Sequence, residues 1–237
     1  MAKLTIGIVT YNAAQVLECA LLSIIQKKST AVELIVVDGA STDGTVEIIR
    51  RYANSIDHWV SEPDLGIYDA MNKVCALATG DWLLFIGADD ELAASPENIL
   101  QHLTEANSIY YGNVQIQRTG RVQGGRFTRY RLMQENICHQ GLMYPRSVYK
   151  NCAYKIDAGM MADHLYNIER WGQGFRFRHL NLTICRFNDA GRSSIPDASL
   201  EARKLVAIRD SFGLAWYFLK RARSTAANLL KHRNAAT

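Results

Sequence analysis

Four short apolar runs, each cut off by polar residues and separated by helix-length intervals, set the strongest limit on how this chain can fold. Leu4, Ile6 and Ile8 alternate with Lys3, Thr5 and Gly7, and Val9 joins them before the run ends at Thr10-Tyr11-Asn12. Glu33 to Val37 forms the second run, closed by Asp38-Gly39. His58 to Val60 is the third, leading into Ser61-Glu62-Pro63-Asp64. Trp82 to Ile86 is the fourth; it stops in Gly87-Ala88 and then three acids, Asp89, Asp90 and Glu91. An unbroken apolar run bounded by turn residues is the pattern of a strand buried on both faces. Between the runs, Val16, Leu17, Ala20, Leu21 and Ile24 recur at helical spacing, and a cap-rich turn from Ala40 to Thr45 precedes a helix over Val46 to Tyr52. Ile67 to Ala78 is a third helical stretch. Strand, helix, strand at this spacing predicts right-handed βαβ units and an α/β fold with a mostly parallel central sheet.

After Pro96 the pattern loosens. A short helix is expected over Asn98 to Leu103 and a strand over Ser108 to Gln117, then a loop zone where Gly120, Gly124 and Gly125 alternate with Arg118, Arg121 and Arg126. Ile137 to Tyr144 suits a strand or an extended segment, and Asp163 to Trp171 a helix. Arg176 to Leu180 and Leu182 to Phe187 suit two strands. No linker or internal repeat divides the chain. The expected organisation is one domain over 1–197, with a front half at 1–95 and an irregular half at 96–197, and a helical tail over 198–237.

Composition narrows the setting. With 48% hydrophobic and 21% charged residues the chain is ordinary for a globular protein. No stretch of ~18 apolar residues could span a bilayer, and Met1-Ala2-Lys3-Leu4 leads into a strand without a signal-peptide pattern. The five cysteines are scattered and form no C-x-x-C, which points away from disulfides and zinc and toward a reducing cytoplasm. The net charge of +4 is uneven: from Leu200 onward there are eight Lys or Arg against Glu201 and Asp210, so a basic tail is joined to a slightly acidic body. Nothing in this charge pattern calls for a nucleic-acid partner.

The candidate chemistry sits at the ends of the four runs. Thr10-Tyr11-Asn12, Asp38, Glu62-Pro63-Asp64 and Asp89-Asp90 all lie where a strand stops. In open α/β sheets that edge is where ligands bind. Adjacent carboxylates there suit a hard divalent cation, Mg²⁺ or Mn²⁺; an acidic cap on a following helix is the plain alternative. No G-x-G-x-x-G follows the first strand and no G-x-x-x-x-G-K-[ST] occurs, so neither a hydride-transfer dinucleotide fold nor a P-loop is indicated.

Five segments in order resemble the family 2 glycosyltransferases, which have the GT-A fold. They are Thr10-Tyr11-Asn12, Val36 to Thr45, Ser61 to Lys73, Ala78 to Asp81, and Gly87-Ala88-Asp89-Asp90. The resemblance implies a nucleotide-diphospho-sugar donor. It implies that Asp38 meets the base, Thr10 and Tyr11 (with Asn12) line the nucleoside, and Asp89 contacts the ribose. It assigns the metal to Asp90, in a motif that departs from D-x-D. Asp69 and Lys73 share a helix face; Lys73 either approaches phosphate or pairs with Asp69. In the looser half, Cys138-His139-Gln140-Gly141 places His139 near donor sugar and acceptor. Ala162-Asp163-His164 resembles the segment bearing the catalytic base, with Asp163 as that base and Asp157 as its competitor. Gly191-Arg192-Ser193-Ser194 resembles a late loop near the diphosphate, where Arg192 would neutralise phosphate charge.

The activity implied is an inverting, metal-dependent transfer of a sugar to a hydroxyl of a glycan or lipid-linked acceptor, in bacterial surface polysaccharide or lipopolysaccharide synthesis. A nucleotidyltransferase is the rival enzyme, disfavoured because no glycine-rich basic loop follows the first strand. A non-catalytic nucleotide-sugar-binding subunit is the other rival. In the tail, Phe212, Trp216, Leu219, Ala222 and Ala226 recur at helical spacing beside Lys220, Arg221 and Arg223. Such a stripe lies on the inner face of an anionic membrane, or packs on the body or on a second copy in a homo-oligomer; the sequence leaves these open.

Overall fold

The structure is a computed structural model that describes residues 2–151, 153–189 and 198–234, with side chains over 2–151, 153–189 and 201–224. The expected front half is present. β1 (Leu4–Thr10), α1 (Leu17–Ile25), β2 (Val32–Asp38), α2 (Thr45–Arg51), β3 (His58–Ser61), α3 (Ile67–Leu77) and β4 (Trp82–Gly87) follow in sequence. β3, β2, β1 and β4 lie side by side in that order and all run parallel. The order reverses between β1 and β4, and the polar ends of both strands open onto the crevice at that switch point.

Alternation along the strands builds two cores, one on each face of the sheet. Leu4, Ile6 and Ile8 of β1, with Leu34, Val36, Leu84 and Ile86, face α1 and α2 through Leu17, Leu21, Ile24 and Ile49. Ile35, Val37, Leu83 and Phe85 face the other way, onto Met71 and Val74 of α3. Gly7 lets α3 close in here: a Cβ at that position would come within 2.5 Å of Val74. Every residue of β2 is buried, Glu33 included. That carboxylate is held by the hydroxyl of Thr5 (2.5 Å) and by the backbone N–H (2.7 Å) and hydroxyl of Thr79 (2.5 Å). Lys3 lies 3.4 Å away.

The second half completes the sheet. β5 (Glu91–Leu92), α4 (Pro96–His102), β6 (Ser108–Ile116), β7 (Val122–Gln123), α5 (Arg129–Gln134), β8 (Leu142–Pro145), α6 (Arg146–Tyr149), α7 (Ala162–Gly172) and β9 (Arg176–Phe187) lead to α8 (Ala198–Phe212) and α9 (Leu214–Asn234). β8 joins β4 antiparallel, and β6 then β9 continue the sheet. Four details differ from the sequence reading. The two expected strands at 176–187 are one strand, whose pairing with β6 shifts register around Tyr111 and Asn113. The expected strand at 137–144 begins only at Leu142, because His139–Gly141 form a 3₁₀ turn. α5 and α6, of six and four residues, were not expected; helices this short carry no periodic signal. The tail is helical but not one stripe: Gly213, at φ 92°, breaks it between α8 and α9. Phe212 and Trp216 turn inward onto the core, whereas Leu219 and Ala222 face out.

Candidate active site

Two cavities meet at the end of the sheet. The first, about 760 Å³, lies over the β1/β4 crevice and is lined by Thr10, Tyr11, Asn12, Gly39, Asp64 and Asp89, among others. The second, about 550 Å³, lies between the β6–β7 region and α5, with Arg121, Gln123, Phe127, Arg131, Glu135 and Asn136 on its walls. His139, Gln140, Met160, Asp163 and Phe187 line both. The structure thus gathers residues that are far apart in sequence around one shared partition.

Asp163 stands in that partition, in the first turn of α7. Its Oδ1 accepts hydrogen bonds from the Tyr68 hydroxyl (3.0 Å) and the His164 backbone N–H (2.8 Å). Its Oδ2 accepts from Asn136 Nδ2 (2.8 Å) and faces His139 Nδ1 at 3.7 Å. Asn136 is held in turn: its Oδ1 accepts from Asn167, whose own Oδ1 accepts from the buried Tyr144 hydroxyl. Burial pushes the Asp163 carboxyl upward, but His139, His164 and Tyr68 outweigh it and hold the group below its ordinary value. The side chain keeps 14% of its surface exposed, so an ionised carboxylate is presented to both cavities. Asp157, the rival base, lies elsewhere on the surface, 2.9 Å from Arg203.

The two neighbouring acids after β4 have different fates. Asp89 is half-buried and faces the first cavity. Asp90 points inward and is 1% exposed. Its oxygens accept from Gln140 Nε2 (2.8 Å), the Asn188 backbone N–H (2.8 Å) and the Gly87 backbone N–H (3.2 Å). Gln140 is itself braced by the Cys138 thiol. Burial raises the Asp90 carboxyl above its usual range, with the Asn188 N–H opposing. Asp90 is therefore a tie between the β4 end, the 139–141 turn and the end of β9. Asp90, the expected metal ligand, is thus engaged by protein donors and lines neither cavity.

Asp38, expected at the base, is likewise turned inward and lines neither cavity. It is fully buried, paired in register with Thr10 on one side and Ser61 on the other. Its carboxylate accepts from the Ser41 backbone N–H (2.9 Å), the Ser41 hydroxyl and the Ser61 hydroxyl (2.6 Å). It shapes the 39–45 turn, where Ala40 is held at φ 62°. The acid that does face the cavity is Asp64. Its Oδ2 lies 2.6 Å from where a Cβ at Gly39 would be, with the Tyr11 ring 3.3 Å from the same point. Asp64 Oδ1 accepts from the Gly66 N–H at 2.8 Å.

Tyr11 is exposed, and Asn12 cross-links the two turns, its Oδ1 accepting from the Thr42 N–H (2.9 Å). Thr10 Oγ1 is buried without a hydrogen-bond partner. Lys73 and Asp69 do not line the cleft. Lys73 pairs with Glu62 at 2.8 Å and donates to the Pro63 carbonyl, and Asp69 accepts from the Leu65 N–H, so both brace the loop that carries Asp64. Arg192 lies outside the described residues. Sequence reasoning missed Tyr68, Asn136, Asn167 and Gln140 as members of the site, and gave Asp64 no role beyond its place at a strand end. Asp64, Tyr68 and Gln140 stood inside segments already singled out; Asn136 and Asn167 had no local signal.

The glycosyl transferase family 2 profile matches residues 5–171. The chain belongs to that family. A PGL/p-HBAD biosynthesis glycosyltransferase of Mycobacterium tuberculosis is 33% identical over 222 residues, covering 89% of this chain and 86% of the relative. An uncharacterized glycosyltransferase of Escherichia coli, YibD, is 35% identical over 92 residues, covering 38% of this chain and 27% of the relative. Among solved structures, Staphylococcus aureus TarS 1-349 in complex with UDP-GlcNAc superposes with a TM-score of 0.70 at 18% identity. The match covers 88% of this chain and 67% of TarS 1-349. The mannosyltransferase PcManGT from Pyrobaculum calidifontis, in complex with GDP-Man and Mn²⁺, superposes at 0.61 and 20% identity, over 94% of this chain and 64% of its own. The fold is GT-A and the protein is a glycosyltransferase. That sets aside the nucleotidyltransferase and the non-catalytic subunit.

Proposed function

We propose that this glycosyltransferase moves a sugar, with inversion, from a nucleotide-diphospho-sugar in the first cavity to a hydroxyl of a glycan or lipid-linked acceptor in the second. The observation that carries the reading is the place of Asp163, an ionised carboxylate in the partition common to both cavities. On this reading residues 1–95 hold the donor and 96–197 the acceptor. The base lies in the slot between the exposed Tyr11 ring and Asp64, whose Oδ2 can accept an imide or amide N–H. Thr10, Asn12 and Asp89 line the rest of the donor site. Arg192 remains a proposed diphosphate contact from its sequence segment alone.

Among the described residues no three ligating side chains gather to hold a metal. The Asp89 carboxylate, on the wall of the first cavity, suits a hard cation that takes its other oxygens from diphosphate and water. The same ion chemistry is named for PcManGT. Bound there, a divalent cation would neutralise charge on the departing diphosphate.

The acceptor hydroxyl loses its proton to Asp163 as its oxygen bonds to the anomeric carbon. The bond from that carbon to the diphosphate oxygen breaks on the opposite face, so the configuration inverts. Tyr68 and Asn136 fix the carboxylate, leaving Oδ2 toward His139 and the cavities. General-base help of this kind contributes roughly 10²–10⁴-fold. The test is a panel of nucleotide-sugars, scored by thermal shift with and without Mn²⁺, followed by the anomeric configuration of the product. A retained configuration, or no donor that shifts the transition, would sink the proposal.

A further inference from the structure

α9 is apolar on two sides, and the body covers only one of them. Phe212, just before it, and Trp216 pack inward. Leu214, Phe218 and Leu219 are 61%, 58% and 48% exposed, and Ala215 and Ala222 are exposed beside them. These positions fall on adjacent faces of successive turns and form one outward stripe. No acid occurs after Asp210, whereas Lys220, Arg221, Arg223, Lys231 and Arg233 all follow it.

The helix also has a defined place relative to the site. Lys220 Nζ lies 3.4 Å from Gln134 Oε1, Arg223 sits over the Tyr130 ring at 5.4 Å, and Arg129 sits over Phe212 at 5.8 Å. All three contacts are with α5, and Arg131 of α5, with Glu135 just after it, forms a wall of the second cavity. α5 is thus shared between the inward side of α9 and the wall of that cavity. Arg121 and Arg126 are exposed near the same cavity, and among the described ion pairs neither has a carboxylate partner.

We propose that α9 lies in the plane of an anionic lipid bilayer, stripe inward, and holds the second cavity at the level of the headgroups. An in-plane helix buries an apolar face while its cations meet lipid phosphates. Among the described residues no helix is long and apolar enough to cross a membrane. A second copy is a poor occupant, since a two-fold contact would set this acid-free basic helix against itself. What this adds to the proposed reaction, on which it rests in this respect alone, is that the acceptor is presented from a lipid.

The full chain is to be floated with phosphatidylcholine vesicles, with and without phosphatidylglycerol. The comparison is a Leu214→Gln/Phe218→Gln/Leu219→Gln variant, whose changes are all at exposed positions. The expected result is binding to the anionic vesicles only, weakened by salt, and roughly tenfold lower in the variant. The Mn²⁺-dependent thermal shift by nucleotide-sugar should be the same in both proteins, so a failed donor reading shows separately. Equal vesicle binding by the variant, no binding by the wild type, or a dimer that the variant dissolves would each overturn the proposal.

Discussion

Asp89 and Asp90 are neighbours with the same side chain, and alanine at each should produce opposite phenotypes. Replacing Asp90 strands three donors that now converge on a buried carboxylate: Gln140 Nε2, Asn188 N–H and Gly87 N–H. An unsatisfied buried polar group costs about 1–3 kcal/mol. The Gln140 amide can turn and the Gly87 bond is the longest of the three, so the lower part of that range applies, roughly 3–5 kcal/mol in all. For a chain of this size each kcal/mol moves the melting temperature by about 2–4 °C, so Asp90→Ala should melt on the order of 10 °C lower. Asp89 makes no such tie, so Asp89→Ala should stay within roughly 0.5 kcal/mol of wild type and lose the Mn²⁺-dependent part of donor binding. Thermal unfolding with and without nucleoside diphosphate and Mn²⁺ reads both effects in one assay. If Asp90→Ala melted like the wild type but lost its Mn²⁺ response, while Asp89→Ala kept both, the geometric argument would be refuted.

Four further outcomes follow from the same hydrogen-bond geometry. Burial acts to raise the Glu33 carboxyl, but Thr5, Thr79 and Lys3 hold it down to about 2. A group whose folded value is depressed stabilises above its unfolded value and loses that stability as pH falls through the folded one. Glu33→Gln should therefore cost about 3 kcal/mol at neutral pH and flatten the loss of stability between about pH 4.5 and 2, read by urea titration; an unchanged acid limb would contradict this. Asp163→Asn should lower kcat by roughly 10²–10⁴-fold with donor affinity kept. Asn136→Ala removes a donor from the same carboxylate and should move the acid limb of the kcat profile to higher pH; near-normal turnover in the first, or an unmoved limb in the second, would exclude Asp163 as base. Asp64→Ala should weaken nucleoside diphosphate binding by roughly tenfold to a hundredfold, the loss of one charged hydrogen bond. An equal loss in Asp64→Asn and Asp64→Ala for every base would argue for loop damage instead, and calorimetry separates the two.

Three strands of the parallel front of the sheet were legible because they are buried on both faces and so are largely apolar. β1, β2 and β4 announce themselves in Leu4 to Val9, Glu33 to Val37 and Trp82 to Ile86. The back half was less legible because its elements are short and held by contacts distant in sequence. α5 exists as one turn and a half between Thr128, whose hydroxyl caps it, and the core residues Leu132 and Met133. The register shift between β6 and β9 also leaves no trace in a hydropathy pattern. Nor could spacing reveal that Asn167 reaches Asn136, 31 positions away, to steady the carboxylate of Asp163.

Within the site, the strand ends were legible in the sequence, but which acids there face the cavity was not. A carboxylate at the end of a parallel strand either faces the crevice or folds back to satisfy the exposed N–H groups of the turn. Those alternatives differ by a rotation about one or two bonds. Asp38 folds back because Ser41 and Ser61 supply three donors within reach, and Asp90 because Gln140, Gly87 and Asn188 do. Each inward acid leaves a gap on the cleft wall, and the neighbouring position decides what fills it. After β2 that neighbour is Gly39, which has no side chain to offer; the space is taken by Asp64, delivered from the loop after β3 and braced there by Lys73, Glu62 and Asp69. A Cβ at position 39 would press on the end of the Asp64 side chain, which would have to turn aside, so the two positions are coupled. After β4 the neighbour is Asp89, and it faces the cavity itself. A motif can therefore locate the strand end that borders the pocket without telling which of its acids faces in.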